Sequence, residues 1–186
     1  MLFSETLLAA LECLLFVAAE PLSIKNLANI LETKEKDTEE LLDSLARKYN
    51  DKESGIQLVR LAGGYQLCTR PEFSGYIEKL YKPQAHALSR AALETLAIVA
   101  YRQPITRAEM EQIRGVKVDG VVNTLMEKKL IQEIGRKEGP GRPILYGTSG
   151  QFLQYFGLDD LEDLPDPEKF LDKAAVEEAA ASQGSD

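Results

Sequence analysis

The sequence predicts a mainly α-helical chain with small β-hairpins, an α+β arrangement built as two copies of one unit and closed by an acidic tail. Three observations carry that expectation. "ALECLLFVAAEPLSIKNLANI" (10–30) aligns with "ALETLAIVAYRQPITRAEMEQI" (92–113) once one residue is added before the proline, and an internal repeat of this kind decides architecture. Apolar residues recur at helical spacing in both copies. Each copy then runs into alternating apolar stretches around glycines, the pattern of a hairpin.

The elements follow in order. On a wheel of roughly 100° per residue, Leu7, Leu11, Leu14, Leu15 and Ala18 share one face of the first helix, with Leu2, Cys13 and Phe16 around the other side. In the second copy the same reading gives Leu93, Leu96, Ala97 and Ala100 as the core face and turns Ile98 and Val99 elsewhere. Ser23 and Thr106 stand at N-cap positions of the second helices, where a side-chain oxygen accepts from a backbone N–H that the helix leaves unpaired. Leu22 with Leu27 and Ile105 with Met110 have the spacing of a hydrophobic staple, and Thr106 with Glu109 that of a capping box.

"LLDSL" (41–45) and "VVNTL" (121–125) mark a third helix in each copy, with Asp37 and Glu40 as start residues for the first of these. "GIQLVRLAGGYQLCTR" (55–70) reads as two strands joined at Gly63-Gly64, and "IQEIGRKEGPGRPILYGTS" (131–149) as a hairpin with a longer tip. Three helices and a hairpin form a winged-helix unit, so the chain divides into an N-terminal winged-helix domain (1–82, ending in a helix over 72–81), a C-terminal one (83–165) and an acidic tail (166–186). A short helix around Phe152, Leu153 and Phe156 packs back after the second wing. Asp166-Pro167 suits a further helix start, but the Ala/Glu-rich end has too few large apolar residues for a core, and the tail is expected to be mobile or ordered only with a partner.

Composition narrows the function. An apolar fraction of 44% over 186 residues supports buried cores. No apolar run approaches the ~20 residues that cross a bilayer, and the start lacks signal-peptide features, so no membrane partner and a cytoplasmic location are expected. Cys13 and Cys68 have no neighbour at metal spacing and read as packing residues. His86 is the only histidine. "GPGRP" (139–143) lacks the Lys-Ser/Thr of a phosphate-binding loop and reads as a tight turn. With no cofactor, metal or nucleophile pattern, catalysis has no candidate residues.

The net charge of −8 is concentrated in the tail, since residues 157–186 carry ten acids against Lys169 and Lys173. The remaining body is balanced, and acidity alone does not exclude a basic patch. In helix-turn-helix recognition the third helix enters the major groove. "KDTEELLDSLARKY" (36–49) would bring four carboxylates towards phosphate. The second copy is less clear. Arg136, Lys137 and Arg142 around its wing are candidates for phosphate contact, weighed against ordinary surface charge, while Gly120 weakens its third helix by roughly 1 kcal/mol relative to Ala. Both first helices carry apolar residues beyond what one core absorbs, which points to a protein partner.

These residues resemble the ScpB family of bacterial segregation and condensation proteins. The specific stretches are "LSRAALETLAIVAYRQPITRAEMEQIRGV", "GRPILYGTS" and "FLQYFGLDDLEDLP", with "LECLLFVAAEPLS" and "GGYQL" agreeing in the first copy. The resemblance implies a non-enzymatic homodimer of tandem winged helices that binds the kleisin ScpA and through it joins the SMC ATPase, a nucleoid-associated assembly that touches DNA weakly or indirectly. It also implies dimerisation by the first unit, for which Leu2, Phe16 and Val17 are the candidates. ScpA contacts are expected around the second unit, at Ile98, Tyr101, Arg102, Tyr146 and Phe152. The other reading is a winged-helix transcription regulator or nonspecific DNA-binding protein that uses the second wing.

Overall fold

A computed structural model describes residues 5–50, 54–81 and 88–166. Leu2, His86 and the tail beyond Asp166 lie outside the described residues.

The first unit runs α1 (Glu5–Val17), α2 (Ile24–Leu31), α3 (Glu35–Tyr49), β1 (Ile56–Leu61) and β2 (Gly64–Thr69), then a 3-10 turn at Pro71–Phe73 and α4 (Ser74–Tyr81). The second runs α5 (Arg90–Arg102), β3 (Ile105–Thr106), α6 (Arg107–Arg114), α7 (Asp119–Glu127), β4 (Ile131–Arg136) and β5 (Ile144–Thr148). α8 (Gly150–Phe156) and a 3-10 turn at Leu161–Asp163 follow. The architecture is mainly helical with two small antiparallel sheets: two winged-helix units in tandem.

Local chemistry starts the second helix of each unit. The Ser23 hydroxyl accepts from the Asn26 amide at 3.3 Å, and the Thr106 hydroxyl accepts from the Glu109 amide at 3.3 Å. The Glu109 carboxylate returns the bond, accepting from the Thr106 amide at 2.8 Å, so the second unit holds a complete capping box. The staple partners Leu27 and Met110 are fully buried.

The hairpins differ in detail. β1 and β2 pair from Ile56 opposite Thr69 to Leu61 opposite Gly64, so the turn is Ala62-Gly63, one residue earlier than the Gly63-Gly64 junction expected from sequence. Both turn residues have positive φ, 49° and 72°, the left-handed pair that a two-residue hairpin of right-handed twist requires. β4 and β5 are joined by a longer tip, and β3 adds a third strand, pairing Ile105 with Tyr146 on the outer side of β5. In the first unit a single bridge takes its place, Leu22 and Tyr65 exchanging bonds of 3.0 and 2.9 Å. Neither feature was expected, because two residues carry no periodicity.

Close approach explains two glycines. A Cβ at Gly64 would lie 2.9 Å from the Leu22 carbonyl carbon, and one at Gly147 would lie 2.7 Å from the Gln103 side-chain oxygen. In both units the segment entering the second helix is pressed against the hairpin.

Each unit has its own core. The first is leucine-built: Leu11, Leu15, Leu27, Leu31, Leu41, Leu42 and Leu45. The second is mixed, with Leu96, Val99, Met110, Val122, Leu125, Ile131, Tyr146 and Phe152 among its members. Burial of each such side chain stabilises the unit by about 1.5–3 kcal/mol.

Three expectations are corrected here. In α5, Leu93 is 46% exposed and Ala97 is exposed, while Val99 is fully buried; the core face is Ala92, Thr95, Leu96, Val99 and Ala100. Thr95 is tolerated there because its hydroxyl donates to the Ala91 carbonyl and accepts from Arg114. Cys13, expected in packing, is exposed. The helix expected over 72–81 begins two residues later, after the 3-10 turn.

Candidate protein-binding surfaces

Two surfaces are built from corresponding helices. In α1, Leu11 and Leu15 point inward at 0% and 1% exposure, which by helical geometry turns Phe16 and Val17 outward, where they are 78% and 74% exposed. α1 is anchored one turn before these residues: the Glu12 carboxylate accepts from Lys48 at 2.8 Å and from the Tyr49 hydroxyl. These bonds hold Glu12 below the ordinary carboxylate range, while burial, then the Glu12 contact, pushes Tyr49 up to about 12. The outward apolar face therefore rides on a helix fixed to α3.

In α5 the outward face is Leu93, Ala97 and Tyr101, and here it faces a groove rather than open water. α8 and the segment after it form the opposite wall through Phe156, Leu158, Leu164 and Pro165, enclosing about 410 Å³ lined almost wholly by apolar atoms. The Tyr101 hydroxyl donates to the Pro165 carbonyl at 2.6 Å and closes one end. The α8 N-cap is Ser149, whose hydroxyl accepts from the Phe152 amide and aims the Phe152 ring down into the core beneath the groove. Phe152 and Phe156 pack with ring centres 4.8 Å apart.

The residues nominated from sequence fall in different places. Phe16, Val17, Tyr101 and Arg102 are exposed, and Ile98 is half-buried against the second core. Tyr146 and Phe152 are 1% and 2% exposed, which corrects the expectation that they offer surface to a partner. Phe152 supports the groove floor, and Tyr146 is a core ring whose hydroxyl accepts from Arg107 Nε at 2.8 Å. Leu2 lies outside the described residues. The groove residues that sequence reasoning missed are Leu93, Ala97, Leu158 and Leu164. The wheel alone places the first two on the core face, and the last two sit in "FGLDDLEDLP", where no helical or strand spacing marks them.

Two of the three wing cations already have partners. Lys137 pairs with Glu109 at 2.5 Å, and Arg136 donates to the Arg142 carbonyl at 3.3 Å. The third helix, α7, opens on Asp119, which pairs with Arg107 at 3.1 Å, and its Asn123 accepts from the same guanidinium at 3.0 Å. Within α7 itself there is no cationic side chain. Among the described residues no group of three His, Cys, Asp or Glu could hold a metal ion, and no helix is long and apolar enough to cross a membrane.

Comparison with known proteins places this arrangement. The family described as segregation and condensation complex subunit ScpB matches residues 9–167. The chain belongs to the ScpB family. It is 59% identical over 97% of its length to segregation and condensation protein B of Moorella thermoacetica, covering 88% of that protein, and 55% identical over 91% of its length to that of Desulforamulus reducens, covering 94%. Among solved structures it is similar to ScpB from Mycobacterium tuberculosis, at 38% identity with 85% of this chain and 99% of that one covered and a TM-score of 0.42. A dimer of a ScpB N-terminal domain complexed with ScpA peptide matches at 35% identity over 41% of this chain and 95% of that one, with a TM-score of 0.40. The α1 face and the α5 groove thus belong to a member of the ScpB family.

Proposed function

We propose that the protein is a non-enzymatic adaptor that dimerises through its first winged helix (residues 1–82) and binds the kleisin ScpA with its second (83–165). Through ScpA it would join the SMC ATPase in a nucleoid-associated complex that condenses and segregates the chromosome in the cytoplasm, with DNA touched only weakly or indirectly. The observation that carries this reading is the pair of unpartnered apolar faces on α1 and α5. Phe16 and Val17 suit a self-complementary contact between two copies. The uncharged groove beside Tyr101 suits an amphipathic segment laid along it. Arg102 and Ile98 follow Tyr101 and Ala97 in the same helix and extend the proposed contact. The family supports the identity of the partner.

A DNA-reading function fits the surfaces poorly. α7 presents Asp119 where a recognition helix presents its first base contacts, and Lys137, one of three candidates for phosphate contact with Arg136 and Arg142, is already paired.

Two measurements test the adaptor. Phe16→Glu is expected to convert the dimer to monomer by light scattering while helical content is kept; a stable variant that stays wholly dimeric sinks the α1 assignment. Leu93→Glu is expected to abolish co-purification of ScpA with the full chain. Tight binding to a specific duplex at physiological salt, with affinity falling steeply as salt rises and no ScpA binding, would replace the adaptor by the DNA-binding reading.

A further inference from the structure

The two winged helices are joined by a contact that the function above does not use. The turn of the first wing, Ala62-Gly63, presents two amides that the β1–β2 ladder leaves free. Both are met by the segment just after α8: Ala62 N–H donates to the Leu158 carbonyl at 3.0 Å, and Gly63 N–H donates to the Asp159 carbonyl at 3.1 Å and to Asp159 Oδ1 at 2.9 Å. The second carboxylate oxygen of Asp159 accepts from Arg60 Nε at 2.7 Å. One aspartate thus engages a backbone amide and a guanidinium of the other unit at once, a charge-assisted arrangement stronger than neutral bonds.

The acceptor side is held rigidly. Gly157 takes the left-handed conformation at the end of α8, and Leu158 N–H donates back to the Leu153 carbonyl at 2.9 Å. The Asp159 and Asp160 amides both donate to Asp163 Oδ2 at 3.1 Å. Every amide from Gly157 to Asp160 is therefore spent within the second unit, leaving the Leu158 and Asp159 carbonyls and the Asp159 carboxylate facing the first. Two amides and one cation of the first unit thus meet two carbonyls and one carboxylate of the second.

We propose that Asp159 is an inter-domain latch, which fixes the angle between the two winged helices by gripping the first wing's turn and Arg60. What the latch sets is the relative presentation of the α1 face and the α5 groove, and it does so whatever occupies either surface. Because Leu158 also forms a wall of the groove, the angle and the groove share one structural element, as coupling between sites requires.

The test is residual dipolar coupling of backbone amides in the full-length protein. One alignment tensor is expected to fit both units of the wild type, and two to be needed for Asp159→Ala, with Ala62 and Gly63 amides exchanging roughly tenfold faster, the equivalent of one net hydrogen bond. Arg60→Glu is expected to do the same while leaving the second unit untouched, and decides the matter if Asp159→Ala fails to fold. A wild type that already needs two tensors, or variants that still fit one, would overturn the latch. Neither outcome depends on ScpA binding, so the adaptor reading stands or falls separately.

Discussion

α1 and α5 share the letters Ala-Leu-Glu, and that identity pairs Leu11 with Leu93. The structure pairs them differently: Leu11 is fully buried and Leu93 is 46% exposed, whereas Leu11 and Leu15 have the burial of Ala92 and Leu96. In burial, these residues of the two helices correspond with a shift of one residue, about 100° of rotation. That shift lines up Phe16 and Val17 with Ala97 and Ile98. Phe16 is thus large and bare in the first unit, whereas Ala97 is small and sits in a groove walled on one side by the post-α8 segment in the second, and Ile98 turns half towards the core. Identity tracked the helix; burial tracked its orientation.

The comparison can be broken most decisively in the cores. Leu11→Ala is expected to lower stability by about 2–5 kcal/mol in urea unfolding, whereas Leu93→Ala should cost under about 1 kcal/mol, its side chain being half in water already. Equal losses would restore the identity pairing. Next come the two pressed glycines. Gly64→Ala should cost about 1–3 kcal/mol, since the obstructing atoms are the Leu22 and Pro21 backbone, and Gly147→Ala less, because the obstructing groups are the side chains of Gln103 and Ile134. Thermal denaturation of the two variants checks that order.

The caps give a smaller contrast. Thr106→Ala removes the hydroxyl that caps the Glu109 amide and also bonds the Glu109 carboxylate, leaving the backbone half of the box, and should cost more within the range of about 0.5–2 kcal/mol than Ser23→Ala, which loses a single bond, read by chemical denaturation. The smallest effect is one of pH. Glu109 is held down to about 2, first by its bond from Lys137 and then by the Thr106 amide and hydroxyl. A carboxylate depressed in the folded state adds stability above its unfolded value, about 4.3, and that contribution fades as pH falls towards 2. Lys137 and Glu109 are both substantially exposed, so solvent screening keeps the gain modest. Glu109→Gln should flatten the fall in stability over that window in a pH series of melts, and an unchanged slope would show the pairing to be idle.

What the sequence disclosed followed from locality. Ser23 and Thr106 lie three residues from the amides they cap, and the hairpins announce themselves by alternation, so those two caps, the wings and the winged-helix repeat were legible, whereas α3 starts at Glu35 after Lys34, ahead of the expected Asp37 and Glu40, with no side-chain cap to announce it. The outward position of Phe16 was legible too, as residue-by-residue geometry of one helix. The inward face of α5 was not, because Leu93, Ala97, Ile98 and Val99 are all apolar and the wheel cannot rank them. The resemblance points to the second unit but not to the orientation of its side chains, and aromatic rings such as Tyr146 and Phe152 fill cores as readily as they bind. The grip of Asp159 on Gly63 joins residues 96 positions apart, and an aspartate in an acidic stretch gives no local sign of it.

Cys13 carries a practical consequence. It lies on α1 one turn before Phe16 and Val17 and is exposed as a free thiol, while the thiol of Cys68 is pushed up by burial. The first should react quickly with an alkylating reagent and the second slowly. The protein thus contains its own pair of chemical clocks, one set beside the proposed dimer face and one on the hairpin. Their ratio, followed against dilution by mass spectrometry, would time the separation of two copies without a label, a tag or a substitution.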